Sequence, residues 1–167
     1  MSTLPPELVE FLGTGVAHQI GACDRGGRPS ICRALGATVD EQGRLVVMLS
    51  GESGYEVLDA IRATGLVSAV FVQPSTYRTL HVKGRDAHVG PAAPEHRALI
   101  AVRREGFLQQ IAHYGFTRDF VMAWYTVPDD QLMAITFMPI GAWNQTPGPG
   151  AGAAVDLLSP KWNLDAR

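Results

Sequence analysis

Hydrophobic and polar positions alternate along this chain in short blocks. Pro5-Pro6-Glu7-Leu8-Val9-Glu10-Phe11-Leu12-Gly13 predicts a first helix, with prolines at its entrance, glycine at its exit and Leu8, Phe11 and Leu12 on one face. Apolar, β-branched runs then predict six strands, over 16–23, 30–39, 44–49, 66–72, 77–89 and 131–138. The first two flank Asp24-Arg25-Gly26-Gly27-Arg28 as a hairpin; with Gly26-Gly27 as the loop, Cys23 faces Ser30. Gly84, inside the long fifth run, marks a bulge or a close backbone approach. Ser53 followed by Glu56 has capping-box spacing ahead of Val57, Leu58 and Ile61, with Gly65 at the exit, and predicts a helix.

Residues 94–113 read as a further helix weakened by Gly106, and 117–125 as another, both covering the strands. Their aromatics, Phe107, Tyr114, Phe116, Trp124 and Tyr125 with His113, read mostly as core. Beyond Gly141 the chain becomes Gly, Pro and Ala rich and loses its apolar period. Strands in hairpin succession, with helices that do not alternate regularly with them, predict a mainly β protein: a six-stranded antiparallel barrel with attached helices. It forms one domain over 1–152, with an extended or mobile tail over 153–167.

Composition narrows the function classes. The chain has 167 residues, 46% hydrophobic and 18% charged, a globular balance. Its 14 Lys and Arg against 16 Asp and Glu leave a net charge of -2, which favours neither nucleic acid nor an anionic membrane. The opening Met1 to Pro6 has no basic segment followed by an apolar one, and no run approaches the ~20 apolar residues of a membrane span. A soluble cytoplasmic protein is expected. In the hairpin above, Cys32 lies diagonal to Cys23, roughly 7 to 8 Å away and too far for an unstrained disulfide, so both read as reduced.

No dinucleotide, Walker, nucleophile-elbow or zincin motif is present in the sequence. The five histidines are scattered, and His81 and His88, at odd spacing on one strand, point to opposite faces, which disfavours a metal site. Anion-binding potential stands out instead. The strand ending at Ser50 runs into the Ser53 helix, whose free N–H groups and positive dipole end suit a phosphate, with Ser50, Ser53 and Gly54 as donors. Arg33 sits between Ile31 and Leu35 on an apolar face, shared with Ile20 in the hairpin register above. A guanidinium there needs an anion, supplied by a ligand phosphate or an internal carboxylate, unless it snorkels to solvent. Arg78 and Lys83, on either side of His81, add donors, or else display charge on an edge strand.

The series Ser30-Ile31-Cys32-Arg33-Ala34-Leu35, the strand Leu45 to Ser50, the Ser53-Gly54-Tyr55 helix start, the run Thr79 to Ala87 and the ending Trp143 to Gly152 resemble the pyridoxamine 5'-phosphate oxidase-related FMN-binding split barrels. The resemblance spans about Pro5 to Gly152 and rests on the order of short motifs. It implies a homodimer with FMN at the interface and a flavin-mediated two-electron redox reaction on a small molecule. The alternative is a non-catalytic carrier of flavin, haem or deazaflavin, because fold does not fix function. The implied cofactor-binding set is Arg33, Ala34, Leu35, Ser50, Ser53, Gly54, Tyr55, Arg78, Lys83, Trp143 and Gln145. Tyr55 stands where many members of that family place lysine. Either Lys83 or Arg78 replaces the missing cation, or Tyr55 stacks on the ligand or donates its hydroxyl, or it only covers the helical turn. Trp143 and Gln145 wall the ring system from the partner protomer, unless Trp143 simply anchors the tail, and Pro94 to Tyr125, long enough to cap one face of the flavin, completes the substrate pocket.

Overall fold

The computed structural model describes residues 4–157. Its elements are α1 (Pro6–Gly13), β1 (Ala17–Cys23), β2 (Pro29–Ala34), β3 (Gly36–Val39), β4 (Leu45–Ser50), α2 (Tyr55–Thr64), β5 (Val67–Val72), β6 (Thr79–Pro91), α3 (Pro94–Ile111), α4 (Arg118–Trp124), β7 (Leu132–Asn144) and β8 (Ala154–Val155). The strands pair antiparallel in the order β2-β1-β5-β6-β7-β4-β3, with β8 on β7. Only Leu35 separates β2 from β3, yet they lie at opposite ends of that path, so the sheet curls back toward itself as a split barrel.

Eight strands replace the six expected, for two local reasons. The run 30–39 breaks at Leu35, whose N–H leaves the β1 ladder and donates to Met48 O at 2.7 Å. The last strand continues through Gly141 and Trp143 to Asn144, where Thr146 N–H is held by Asn144 Oδ1 at 2.8 Å and the chain turns back to pair β8 with Ala142 and Trp143. Residues 158–167 of the expected tail lie outside the described residues.

The hairpin register is one residue off the expected one. Asp24 Oδ1 accepts the N–H groups of Gly26 and Arg28 at 2.8 and 2.9 Å, while Asp24 N–H donates to Arg28 O at 3.0 Å. This longer, side-chain-organised loop pairs Cys23 with Pro29, Ile20 with Cys32 and Gln19 with Arg33. Because side chains alternate between faces, the shift separates Arg33 from Ile20, which is fully buried inside the barrel. Both cysteines are free, Cys23 exposed and Cys32 half-buried.

Cross-strand rows define the two faces. The rows Cys32-Ile20-Ala69-Val82-Ala142 and Ala34-His18-Phe71-Leu80-Asn144 point inward, into the core closed by α1 and α2. The rows Arg33-Gln19-Val70-His81-Trp143 and Ile31-Gly21-Ser68-Lys83-Gly141 point outward. Over β3 and β4 the outward face is covered instead by α3 and α4, which bury Val46 and Met48 against Ile100, Phe107 and Val121. Gly106 sets α3 in place: a Cβ on Gly15 would meet its carbonyl carbon at 2.2 Å, so this contact is backbone on backbone. The residue that weakens the helix locally is what lets it dock. Gly84 also behaves as expected, with a register shift beside it and the Phe137 ring 2.1 Å from where a Cβ would sit.

Candidate functional site

Arg33 leaves β2 on the outward face, at the border between its open part and the part roofed by α3 and α4. Its guanidinium carbon lies 3.6 Å from the centre of the Trp124 ring, 4.8 Å from that of Phe107 and 5.3 Å from that of Tyr125. Nε and Nη2 are buried with no hydrogen-bond partner, and among the described residues no carboxylate forms an ion pair with Arg33. Burial lowers its pKa from the ordinary guanidinium value, with Tyr125 pulling the other way. Burial likewise raises the Tyr125 phenol, opposed by Arg33 and Arg104. Stacking on aromatics is worth about 0.5 to 2 kcal/mol and offers no acceptor to the two buried nitrogens. The aromatic cage alone leaves this cation undercompensated.

A cavity of about 510 Å³ adjoins the guanidinium. One wall is Ile31, Cys32, Arg33, Leu35, Ser50 and Ser53; the other is the end of α4 and the chain after it, Ala123, Trp124, Thr126 and Val127. This volume suits a small-molecule ligand, and among the described residues the lining holds one cation, three hydroxyls and no carboxylate. Burial pushes the Cys32 thiol up to about 11, so at neutral pH it is a protonated apolar group.

The turn between β4 and α2 builds the hydroxyl corner. Gly54 N–H donates to Ser50 O at 2.9 Å, and Ser53 N–H reaches Ser50 Oγ at 3.4 Å. A side chain at Gly54 would strike Leu49 Cδ1 at 2.4 Å and Cys32 Sγ at 3.2 Å, so only glycine lets the turn pack this closely on β2. The expected capping box is absent: Gly54 is the N-cap and no side chain caps α2. Its N–H is spent within the turn, which removes one of the expected phosphate donors.

The other candidates fall in different places. Ala34 points into the barrel core opposite His18. Tyr55 is exposed, bonds Glu56 through its hydroxyl at 3.2 Å and lines a separate cavity of about 340 Å³ with Arg28, Glu56 and Asp59. Arg78 lies just before β6, its guanidinium 5.7 Å from the Phe11 ring of α1. Lys83 stands three strands from β2, about 14 Å along the sheet, with Nζ 5.2 Å from the Trp143 ring. Beside it, His81 Nε2 bonds Ser68 Oγ at 2.7 Å, and its ring packs 5.7 Å from Trp143. Gln145 is exposed, its N–H donating to Thr79 O at 2.8 Å. Within the chain, then, Arg33, Leu35, Ser50 and Ser53 converge on one cavity, while Lys83 and Trp143 share the open part of the same face.

Sequence reasoning placed the segment 94–125 over the pocket without singling out Trp124 or Ala123 from its other residues, and missed Thr126 and Val127 as lining. The available signal was the spacing of Phe116, Phe120 and Trp124, which stack in succession at 5.2 and 5.0 Å. Of the aromatics expected in the core, only Phe107 and Tyr125 are buried; Tyr114, Phe116 and Trp124 are 45 to 46% exposed. α4 is short, its N-terminus capped by Thr117 Oγ1 accepting from Phe120 N–H, and too narrow to bury that stripe.

Solved structures share this fold at low identity. HupZ of Group A Streptococcus matches with a TM-score of 0.54 and 12% identity over 90% of this chain and 99% of that one. A pyridoxamine 5'-phosphate oxidase-related, FMN binding protein from Nostoc punctiforme PCC 73102 matches at 0.50 and 16%, over 85% and 84%. A conserved hypothetical protein from Mycobacterium tuberculosis matches at 0.50 and 16%, over 81% and 80%. No protein-family model matches the chain, and no curated protein matches its sequence. The chain has the split-barrel fold of the pyridoxamine 5'-phosphate oxidase-related proteins.

Proposed function

We propose that this chain is a cytoplasmic, homodimeric FMN-binding protein that supports two-electron redox of a small molecule. The observation that carries the proposal is Arg33: a half-buried side chain with two buried, orphaned guanidinium nitrogens, no carboxylate partner among the described residues, and a cavity beside it that adds Ser50 and Ser53. A phosphate monoester fits that donor set, because it brings the missing anion and accepts from both hydroxyls. The FMN binding of the Nostoc protein of the same fold supports the choice of ligand. When bound, FMN supplies the hydride chemistry. The chain's own residues anchor and orient: Arg33, Ser50 and Ser53 hold the phosphate, while Ile31, Leu35 and Val127 shield the ligand from water. Ile31, 69% exposed on the outward face, favours burial against a second copy. That copy would place its own Trp143 near this site.

A carrier without catalysis is the second reading. It is favoured by one observation: among the described residues, no side chain lining the cavity titrates near neutral pH, which leaves no general acid or base among them.

The absorbance spectrum of the purified protein tests both. Flavin bands, appearing as purified or on adding FMN, are expected. A Soret band would move the assignment to a haem carrier, and a colourless protein that ignores FMN overturns flavin binding. Arg33→Ala should weaken FMN by about ten- to a hundredfold while barely affecting riboflavin, which lacks the phosphate. Equal losses would make Arg33 a fold residue. Light scattering should give a mass near two protomers, and a strict monomer at micromolar concentration defeats the shared site.

A further inference from the structure

The α3–α4 segment does more than cover the sheet. Trp124, the last residue of α4, places its ring over Arg33 at 3.6 Å, closer than either other aromatic, and the same residue lines the cavity opposite Ser50 and Ser53. Phe107 holds the indole from behind at 6.3 Å and Phe120 from the side at 5.0 Å. An arginine on a strand has four rotatable side-chain bonds, and among the described residues no carboxylate pins its head; the Tyr125 hydroxyl is the polar group that engages it. The indole, closest of the three rings, holds the plane of the guanidinium against the cavity.

We infer that Trp124 is a positioning residue for anion binding: it clamps the Arg33 guanidinium flat beside the cavity, so that phosphate affinity depends on α4 of the same protomer. This rests on the assignment of the cavity as a phosphate site and extends it to a residue on a different element. Trp124 itself makes its contact through the cation face of Arg33, and a purely structural role for it would touch all ligands alike.

Cys32 gives a readout independent of redox activity, since it lines the cavity and Cys23 does not. In a Cys23→Ser background, the rate of Cys32 thiol labelling at alkaline pH should fall when pyrophosphate, FMN or riboflavin occupies the cavity, and the concentration dependence gives each affinity. Trp124→Ala should weaken pyrophosphate and FMN by roughly three- to thirtyfold, the range set by one cation–π contact. Riboflavin should change less than about twofold, Trp124→Phe should restore most of the loss, and in an Arg33→Ala background removing Trp124 should have no further effect on FMN. Unchanged FMN and pyrophosphate affinity in a folded Trp124→Ala protein overturns the inference and leaves flavin binding standing. So do equal losses for riboflavin and FMN, or additive losses with Arg33→Ala. Protection by pyrophosphate that depends on Trp124, without any response to FMN, keeps the clamp and overturns the flavin assignment. No protection by any of the three overturns both.

Discussion

The inward face around His18 and the outward face at Arg33 treat a basic side chain in opposite ways. His18 is fully enclosed, with both ring nitrogens unpartnered and its ring edge-on to Phe71 at 5.8 Å. Burial, reinforced by the charges of Arg103 and Arg33, drives its pKa down to about 3, so it sits in the core as a neutral aromatic group. Arg33, one position from Ala34 across the same hairpin, cannot shed its proton in this way. It keeps its charge, takes partial relief from three aromatic rings and leaves two nitrogens unsatisfied. A side chain that can neutralise itself tolerates a sealed core; one that cannot marks the place where a partner from outside is needed.

Acid should break the inward side first, and with the largest effect. The folded pKa of His18 lies below its unfolded value of 6.5. Between those values the unfolded chain therefore binds the extra proton, and its contribution is intact above about 6.5 and lost as pH falls through the window toward 3. The loss is on the order of 5 kcal/mol over that range. Urea unfolding across pH should show it, and His18→Leu should flatten the curve; an unaltered slope in that variant would remove His18 from the account.

The outward side should respond in the opposite sense. Arg33→Met keeps a long apolar side chain against Trp124 while deleting an uncompensated charge, so the ligand-free protein should gain about 1 to 4 kcal/mol even as phosphate affinity is lost. A less stable Arg33→Met protein would show that the guanidinium already has what it needs inside the fold.

The smallest effects sharpen where the site ends. Tyr55→Lys adds charge at the first turn of α2 and should tighten FMN by about 0.3 to 1 kcal/mol. Lys83→Ala, three strands away, should leave the ratio of FMN to riboflavin affinity unchanged. A drop in that ratio in calorimetric titrations would instead mean that Lys83 reaches the phosphate from a second subunit.

Local rules carried much of this protein from its sequence. Period, turn residues and glycines located the helices and nearly all the strands, because each depends on neighbours a few residues apart. Arg33 could be singled out because a charge between Ile31 and Leu35 violates the pattern around it, and Ser50 and Ser53 because a strand running into a helix exposes N–H groups. Three-dimensional packing decided the rest. Asp24 captured two backbone N–H groups and slid the hairpin by one residue, which no count of apolar positions registers. Gly54 spent its N–H on Ser50, so the apparent capping box became a tight turn. The neighbours of Arg33 proved to be Phe107 of α3, Trp124 of α4 and Tyr125, with α3 seated by the docking of Gly106 on Gly15. Contacts between residues so distant in sequence arise only when the sheet curls and the helices dock on it, and they leave no local periodicity to read.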